Sequence, residues 1–361
     1  MKSQLQVKQL LNSKIILAGI LVFLVIFIVF NLSNKGIVNT ENIQIENNVV
    51  KLDSLNLQQK ISQMIMVRGD KKNFNYNDLN IGGIFLDRQN SEGEYLELIS
   101  SYQENSKIKL FVATDMEGAW TPFRKNVQEH QKFPQFNEIE TKEEAYEIGL
   151  KQGKLLKSIG FNLNFAPVAE YQDLAYGGRV FSGEKLEIQE KVISYIKGLQ
   201  ENVFGTCKHY PGKSLLKNLH DEKDIQIIEK EDLIIFEKCI ENKISSIMVS
   251  HQIVEGELNS KGTSSSVSPE VISNLENFSG LVIADEINMK GLSLFYPEKI
   301  DLYIDLINSG EELILDFYLS DKQLKNLLEE LELKILSGEI NEEKINRAVE
   351  KILRMKGYDV R

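Results

Sequence analysis

The feature that most constrains the fold of this chain is an alternation of short apolar runs with longer amphipathic stretches. Such an alternation is typical of βα units that build a parallel sheet. We count eight candidate strands, at 64–67, 83–86, 109–114, 162–168, 203–208, 245–250, 280–284 and 312–315. Apolar residues at helical spacing predict helices that include 143–158, 188–200, 321–336 and 342–355. Eight strands in this pattern favour an α/β fold of the (β/α)8 TIM-barrel type over a doubly wound sheet.

An uncharged apolar run over 15–32 precedes this pattern. As a helix that rises about 1.5 Å per residue, it spans most of a hydrocarbon layer about 30 Å thick. A secretory signal peptide would have a shorter apolar core and a small-residue cleavage site, which the following NLSNKG lacks. We therefore expect an uncleaved, single-pass transmembrane helix at 15–32 that anchors the protein in the cell membrane.

The expected anchor divides the chain into further segments. Lysines in 1–14 predict that this segment is cytoplasmic, because positive residues flanking a membrane helix stay on the cytoplasmic side. Residues 33–50 are polar and rich in asparagine, which predicts a linker. The barrel is then expected over 51–361, outside the cytoplasm.

Composition limits the classes of partner. The net charge of −11 argues against a nucleic-acid partner, because binding to phosphates needs a basic surface. Cys207 and Cys239 both lie in apolar contexts, which favours two buried thiols over a disulfide bond between them.

Polar residues recur directly after the predicted strands, where barrel enzymes carry their chemistry. They are Asp115, Glu117, Glu170, Lys208, His209, His251, Asp285, Glu286 and Asp316. The sequence contains no metal-ligand spacing, no glycine-rich phosphate loop and no G-x-S-x-G motif, so we expect neither a metal nor another cofactor. We expect His251 to support its neighbours rather than to catalyse, and Glu286 to be a neighbour of a catalytic residue.

Carboxylates beside a proton-transferring group suggest cleavage of glycosidic bonds. Asp285 follows the apolar run GLVIA and is placed to act as a nucleophile on a rigid strand. His220 is a candidate for proton transfer, because an unperturbed histidine titrates near neutral pH. Arg179 and Lys208 can bind the polar groups of a ligand, and Asp115 can accept hydrogen bonds from neighbouring sugar hydroxyls. Trp120, the only tryptophan, either stacks on a sugar or belongs to the core.

The chain over about 52–355 resembles family 3 glycoside hydrolases, in the β-N-acetylhexosaminidase branch. Eight segments carry this resemblance in order: LNLQQKISQMIMV, IGGIFL, ATDMEGAWTPFR, NLNFAPVAE, GGRVFSGE, CKHYPG, IMVSHQIV and LVIADEINMKGL. The resemblance implies a (β/α)8 barrel and a two-step retaining mechanism through a glycosyl-enzyme intermediate. It also implies that the partner is a glycan containing N-acetylglucosamine.

Matched residue by residue, the resemblance implies that Asp285 is the nucleophile and His220 the acid/base. The positions that hold the sugar in the −1 subsite are, by the same comparison, Asp115, Arg179, Lys208 and His209. The aspartate that usually accompanies the acid/base histidine is replaced here by Asn218.

The loop between Lys208 and His220 departs from the family pattern. The family reads K-H-F-P-G-H-G-D-T followed by D-S-H, whereas this chain reads KHYPGKSLLKNLH. Asparagine at 218 can orient an imidazole but supplies no charge to stabilise its cation. The sequence thus favours a membrane-anchored exo-β-N-acetylglucosaminidase. It leaves open a catalytically impaired sugar-binding protein and a family member with another glycoside preference or phosphorylase activity.

Overall fold

The computed structural model describes residues 43–70, 74–123, 133–214, 225–293 and 295–361. The predicted transmembrane segment at 15–32 lies outside these residues, as do Asn218 and His220. Among the helices within the described ranges, none has both the length and the apolar character needed to cross a bilayer.

Eight parallel strands close into a barrel, which confirms the predicted fold. In chain order they are β3 (Ile65–Arg68), β4 (Gly83–Phe85), β5 (Phe111–Thr114), β6 (Leu163–Asn164), β7 (Phe204–Tyr210), β9 (Ser246–Val249), β11 (Leu281–Ala284) and β12 (Leu313–Leu315). Each lies within or beside one of the eight predicted apolar runs. Nearly all of their side chains are buried, because helices cover the outside of the sheet and other side chains fill its interior.

The described ranges contain ten α-helices. They are α1 (Leu57–Gln63), α2 (Glu92–Glu104), α3 (Lys142–Ile159), α4 (Lys185–Leu199), α5 (Lys230–Glu241), α6 (Pro269–Ile272), α7 (Lys290–Ser293), α8 (Lys299–Ser309), α9 (Asp321–Leu336) and α10 (Glu342–Met355). The four that the sequence predicts by position are among them, as α3, α4, α9 and α10. The bounds of α9 and α10 are those predicted. Ser320 caps α9 in a reciprocal arrangement with Gln323, and Asn341 caps α10, so both starts are set locally.

Five short strands lie outside the barrel and were not predicted. Strands β1 (Ile45–Glu46) and β2 (Val49–Val50) are antiparallel, and β13 (Asp359–Val360) joins β2 in parallel. The folded region therefore begins before residue 51, and residues 45–50 are not part of a linker. Strands β8 (Ile225–Ile228) and β10 (Ile253–Gly256) form a separate parallel pair.

Cys207 and Cys239 form a disulfide bond, so the prediction of two separate thiols is wrong. Cys207 lies on β7 and Cys239 on α5, with 6.7 Å between their Cα atoms. Both residues are buried, as their apolar contexts indicate. Burial alone does not determine which side chains meet, and here α5 packs against β7 and brings the two sulfur atoms together.

Two glycines allow α3 and α4 to approach very closely. A Cβ added at Gly149 would lie 2.3 Å from the carbonyl oxygen of Tyr195, and one at Gly198 would lie 2.1 Å from that of Tyr146. The contact brings Tyr195 of α4 beside Gln152 of α3, where its hydroxyl donates a hydrogen bond of 2.6 Å to the Gln152 side chain. This close pair of helices supports the loop that follows β5.

Replacing both cysteines, Cys207→Ala with Cys239→Ala, should lower the free energy of unfolding by about 2–4 kcal/mol, because the crosslink restricts the unfolded chain. Urea denaturation with and without a reductant measures this difference. The reductant should destabilise the wild type by a similar amount and leave the double variant unchanged. Equal wild-type stability under both conditions would show that the two residues are separate thiols.

Candidate active site

A cavity of about 810 Å³ opens at the C-terminal ends of the barrel strands. Cavities of this size accommodate small-molecule ligands, and this end of a (β/α)8 barrel is where active sites are found. Five of the residues predicted to act in the site line this cavity: Asp115, Arg179, Lys208, His209 and Asp285. The barrel therefore brings together residues from four different strand ends and loops.

A buried carboxylate organises one wall of the cavity. Glu117 receives two hydrogen bonds from Arg179, of 2.6 Å from Nε and 2.9 Å from Nη2. Lys208 Nζ lies 2.5 Å from the same carboxylate and donates a further hydrogen bond of 2.6 Å to Asp115. The side chains of Glu117 and Lys208 are only 3% exposed, whereas that of Asp115 is 48% exposed. Asp115 is thus the carboxylate that this ionic cluster presents to the cavity.

The charges of this ionic cluster support one another. Burial raises the pKa of Glu117, but Lys208 and Arg179 outweigh burial and lower that pKa to about 2. Burial lowers the pKa of Lys208, but Asp115 and Glu117 outweigh it, so the pKa of Lys208 is raised. Glu117, Lys208 and Arg179 therefore remain charged at neutral pH.

His209 lines the same cavity as its neighbour Lys208, although successive residues of a regular strand point in opposite directions. The register of β7 against β9 shifts between Lys208 and Tyr210, and such an irregularity changes the direction of a side chain. His209 Nδ1 lies 2.9 Å from the Ser214 hydroxyl and 3.3 Å from Glu170. The Ser214 hydroxyl donates its hydrogen to Glu170, and together these contacts fix the imidazole.

Asp285 follows β11, and its carboxylate accepts a hydrogen bond of 2.8 Å from the backbone N–H of Glu286. Burial raises the pKa of Asp285, but His209, His251 and this hydrogen bond outweigh burial, so the pKa lies below its usual value. Asp285 is therefore ionised at neutral pH. An ionised carboxylate on the wall of a cavity has the charge state that nucleophilic attack requires.

His251 supports the segment that carries Asp285, as the sequence predicts. Burial lowers the pKa of His251 and favours its neutral form. Its Nε2 lies 3.1 Å from the carbonyl oxygen of Glu286, and because a carbonyl can only accept, Nε2 carries the hydrogen. Its Nδ1 can then accept a hydrogen bond of 2.8 Å from the Ser266 hydroxyl.

Glu286, which also lines the cavity, and the buried Asp316 belong to a second network beside Asp285. The Asn288 side-chain amide donates to Glu286 at 2.6 Å and to Asp316 at 2.9 Å. Lys299 forms a 2.8 Å ion pair with the buried Asp316, and Tyr303 donates to the same carboxylate at 3.1 Å. Burial raises the pKa of Glu286. These contacts fix the loop after β11.

Several residues that shape the site had no assigned role in the sequence prediction. Glu117 was recognised only as a strand-end residue, although its position two residues after Asp115 is a usable signal. Ser214 and Asn288 gave no signal, because their partners come from distant parts of the chain. The rings of Phe85 and Phe317 stack with centroids 4.4 Å apart and line the cavity, which a single apolar strand pattern does not reveal.

The carboxylates around the cavity are paired with cationic and amide side chains, such as Lys208 beside Asp115 and Asn288 beside Asp316. Within the described ranges, no group of three or more histidine, cysteine, aspartate or glutamate side chains is arranged to hold a metal ion.

Comparison with known proteins agrees with this geometry. Residues 56–355 match the family model "Glycosyl hydrolase family 3 N terminal domain". A β-hexosaminidase of Haemophilus influenzae is 26% identical over 254 residues, which cover 65% of this chain and 72% of that protein.

Two solved structures share the fold. A family 3 β-N-acetylglucosaminidase of Paenibacillus sp. FPU-7 aligns with a TM-score of 0.74 and 23% identity, over 84% of this chain and 62% of that one. A family 3 member from Mycobacterium smegmatis aligns with a TM-score of 0.76 and 23% identity, over 85% of this chain and 99% of that one. With the family match spanning most of its length, the chain belongs to glycosyl hydrolase family 3, as an enzyme that resembles the β-hexosaminidases of that family.

Proposed function

We propose that the protein is a retaining exo-β-N-acetylglucosaminidase that removes terminal N-acetylglucosamine from cell-wall fragments or related glycans. The observation that carries the proposal is the position of the ionised Asp285 on the same cavity as Asp115, Arg179, Lys208 and His209. The similarity to β-hexosaminidases supports the choice of sugar.

Two residues carry the chemistry in this proposal. Asp285 attacks the anomeric carbon, the bond to the leaving-group oxygen breaks, and His220 gives its proton to that oxygen. In the second step His220 takes a proton from water, and the water oxygen displaces the Asp285 carboxylate from the sugar. Two displacements at one carbon return the β configuration.

In this proposal the partly exposed carboxylate of Asp115 accepts hydrogen bonds from the hydroxyl groups of the sugar, and His209 contacts the sugar from the same cavity. Lys208 and Arg179 were predicted to bind the sugar directly. Both are already paired with carboxylates, so their first effect is to fix Asp115 and Glu117 in position. Side chains that are already fixed in position lose less conformational entropy when the sugar binds.

Two other functions are alternatives to this proposal: a sugar-binding protein, which Asn218 favours, and a phosphorylase. A chain that lacks the carboxylate partner of its acid/base can bind a sugar without turning it over. A phosphorylase would use phosphate in place of water at the second step. A family member with either function would keep the residues of the −1 subsite, so those residues do not distinguish the functions. The product formed from the bound sugar, or the absence of any product, distinguishes them.

We also propose that residues 15–32 anchor the protein in the cell membrane with the barrel outside the cytoplasm. The disulfide between Cys207 and Cys239 supports this location, because such bonds persist mainly in oxidising compartments.

Asp285→Asn should lower kcat for an aryl β-N-acetylglucosaminide by at least about a thousandfold, because an amide does not form the glycosyl-enzyme. NMR of the wild-type reaction should show the β anomer as the first product. Release of the α anomer, or of a sugar phosphate in phosphate buffer, would contradict the retaining hydrolase. Sugar binding without turnover by the wild type would favour the binding protein.

Asn218→Asp should raise kcat by at least about tenfold, because a carboxylate beside His220 stabilises the imidazolium formed during proton transfer. The pH profile of kcat should shift towards higher pH on its alkaline side, since the carboxylate raises the pKa of the histidine. Asn218→Ala is the matched control and should not produce this gain. An unchanged kcat and pH profile in Asn218→Asp would show that another group supports proton transfer.

Glu117→Gln should lower the free energy of unfolding by about 3–5 kcal/mol at pH 7, because it leaves Lys208 and Arg179 buried without their shared carboxylate. The pKa of Glu117 is about 2 in the folded chain against an ordinary value of 4.5. Its stabilisation is therefore complete above about pH 4.5 and is lost as the pH falls towards 2. Urea denaturation across this range should show the difference from wild type shrinking below pH 4.5.

Glu190→Gln provides the control for this experiment, because Glu190 pairs with Lys142 at 3.2 Å on the exposed surface. Exposed pairs contribute at most about 1 kcal/mol. If Glu117→Gln had an equally small effect, the buried ionic cluster would not exist as described.

A further inference from the structure

Two exposed aromatic side chains meet beside the cavity. Trp120 is 44% exposed and Tyr176 is 38% exposed. Their ring centroids are 6.1 Å apart with an interplanar angle of 77°. Trp120 therefore does not belong to the core, which was one of the two alternatives that its sequence context leaves open. Large aromatic rings at the edge of a cavity are a common feature of ligand sites.

The position of Trp120 is fixed by the same turn that places Glu117. The backbone N–H of Glu117 donates to the Trp120 carbonyl at 2.7 Å, and the Trp120 N–H donates to the Glu117 carbonyl at 3.0 Å. Gly118 within this turn has a φ of 60°, and its carbonyl accepts a hydrogen bond of 3.0 Å from the buried Gln152. Glu117 points into the ionic cluster, while Trp120 is exposed at the other end of the turn.

Tyr176 connects this ring pair to the cavity. It lines the cavity, and the Arg179 guanidinium lies 5.2 Å from its ring centroid. The Asp173 carboxylate accepts hydrogen bonds from the backbone N–H groups of Tyr176 at 2.9 Å and Arg179 at 3.0 Å. One carboxylate thus fixes both residues, and Arg179 joins the exposed rings to the buried cluster.

We propose that Trp120 and Tyr176, here called the aromatic platform, form the subsite for the sugar on the leaving-group side of the scissile bond. This inference rests on the proposed function and adds a determinant of substrate length to it. The platform is more exposed than the ionic cluster to which Arg179 joins it, so it lies at the rim of the cavity. Because the proposed enzyme is exo-acting and holds the terminal sugar in the cavity, a second sugar ring that meets this rim is the one on the leaving-group side. A pyranose ring has an apolar face of C–H groups that packs well on an indole ring.

The platform suits a sugar better than a charged partner. The exposed surface consists of aromatic rings, and the neighbouring guanidinium of Arg179 is already paired with Glu117. Because the backbone around both rings is held by hydrogen bonds, little conformational entropy is lost when a ligand stacks on them. The platform therefore predicts a preference for substrates with at least two sugar rings.

Tryptophan fluorescence tests binding without requiring turnover, because Trp120 is the only tryptophan in the chain. The full-length Asp285→Asn variant is titrated with N,N′-diacetylchitobiose and, separately, with N-acetylglucosamine. The disaccharide should cause a saturable change in emission, and the monosaccharide should compete with it without causing that change. A thio-linked disaccharide with the wild type gives the same readout if the variant does not fold.

Kinetics with two substrates separates the platform from the rest of the site. Trp120→Ala and Tyr176→Ala should each lower kcat/KM for the disaccharide by about tenfold. Hydrolysis of N-acetylglucosaminyl fluoride, whose leaving group is too small to reach the platform, should change less than about twofold. Trp120→Phe should retain most of the activity, and Leu186→Ala, at a 68% exposed position on α4, should behave as wild type.

The outcomes distinguish the two proposals. If the wild type turns over both substrates and the platform variants lose equal activity on both, the platform proposal is wrong and the glycosidase proposal stands. The same holds if Trp120→Ala loses no activity on the disaccharide. An absent fluorescence response to the disaccharide also overturns the platform. A saturable response in a wild-type protein that turns over neither substrate supports the platform and overturns the proposed hydrolysis.

Discussion

The carboxylate of Glu117 is held away from water between Lys208 and Arg179, and the C-terminal end of the barrel is organised by this interaction. A buried carboxylate without a partner costs several kcal/mol, so the chain must bring both cations to it. The three residues come from the segment after β5, from β7 and from the loop before α4. Their pairing therefore holds together parts of the structure that the barrel hydrogen bonds do not join directly.

A second network, on the side of the cavity formed by β9, β11 and β12, is built differently. There the buried Asp316 receives Lys299 and Tyr303 from α8, and Asn288 extends the contacts to Glu286. The backbone N–H of Glu286 then links this network to the Asp285 carboxylate. Asp285, Glu286 and Asn288 all line the cavity, and the last two also carry the contacts that fix the loop.

Much of the fold could be predicted from the sequence because the strands of a buried parallel sheet consist of continuous apolar runs. The two C-terminal helices were predicted to the residue, since polar caps such as Ser320 mark where their amphipathic patterns begin. The disulfide could not be predicted in this way, because an apolar context indicates burial and not adjacency. The strands β1, β2 and β13 were missed because two residues are too short a run to stand out from a polar segment, and β13 pairs with β2 across more than 300 residues.

The sequence pointed to residues that share one cavity, but it did not show how these residues pair with one another. The residue types at strand ends pointed to carbohydrate chemistry, and the five described candidates do share one cavity. The sequence did not show that Arg179 would reach Glu117, because the intervening chain contains a whole helix and strand. Nor could it show that one turn would place Glu117 inside and Trp120 outside. Such relations depend on how loops from different βα units meet.

The contact between α3 and α4 at Gly149 and Gly198 has a consequence for how mutations in this protein are interpreted. Neither glycine lies near a reacting group, yet any side chain there would push apart the helices that hold Gln152 and Tyr195 under the turn after β5. If every position were substituted and each variant assayed for activity, positions 149 and 198 would therefore lose as much activity as residues that bind the sugar. Thermal stability measured alongside activity would separate the two classes, because the glycine variants would lose both.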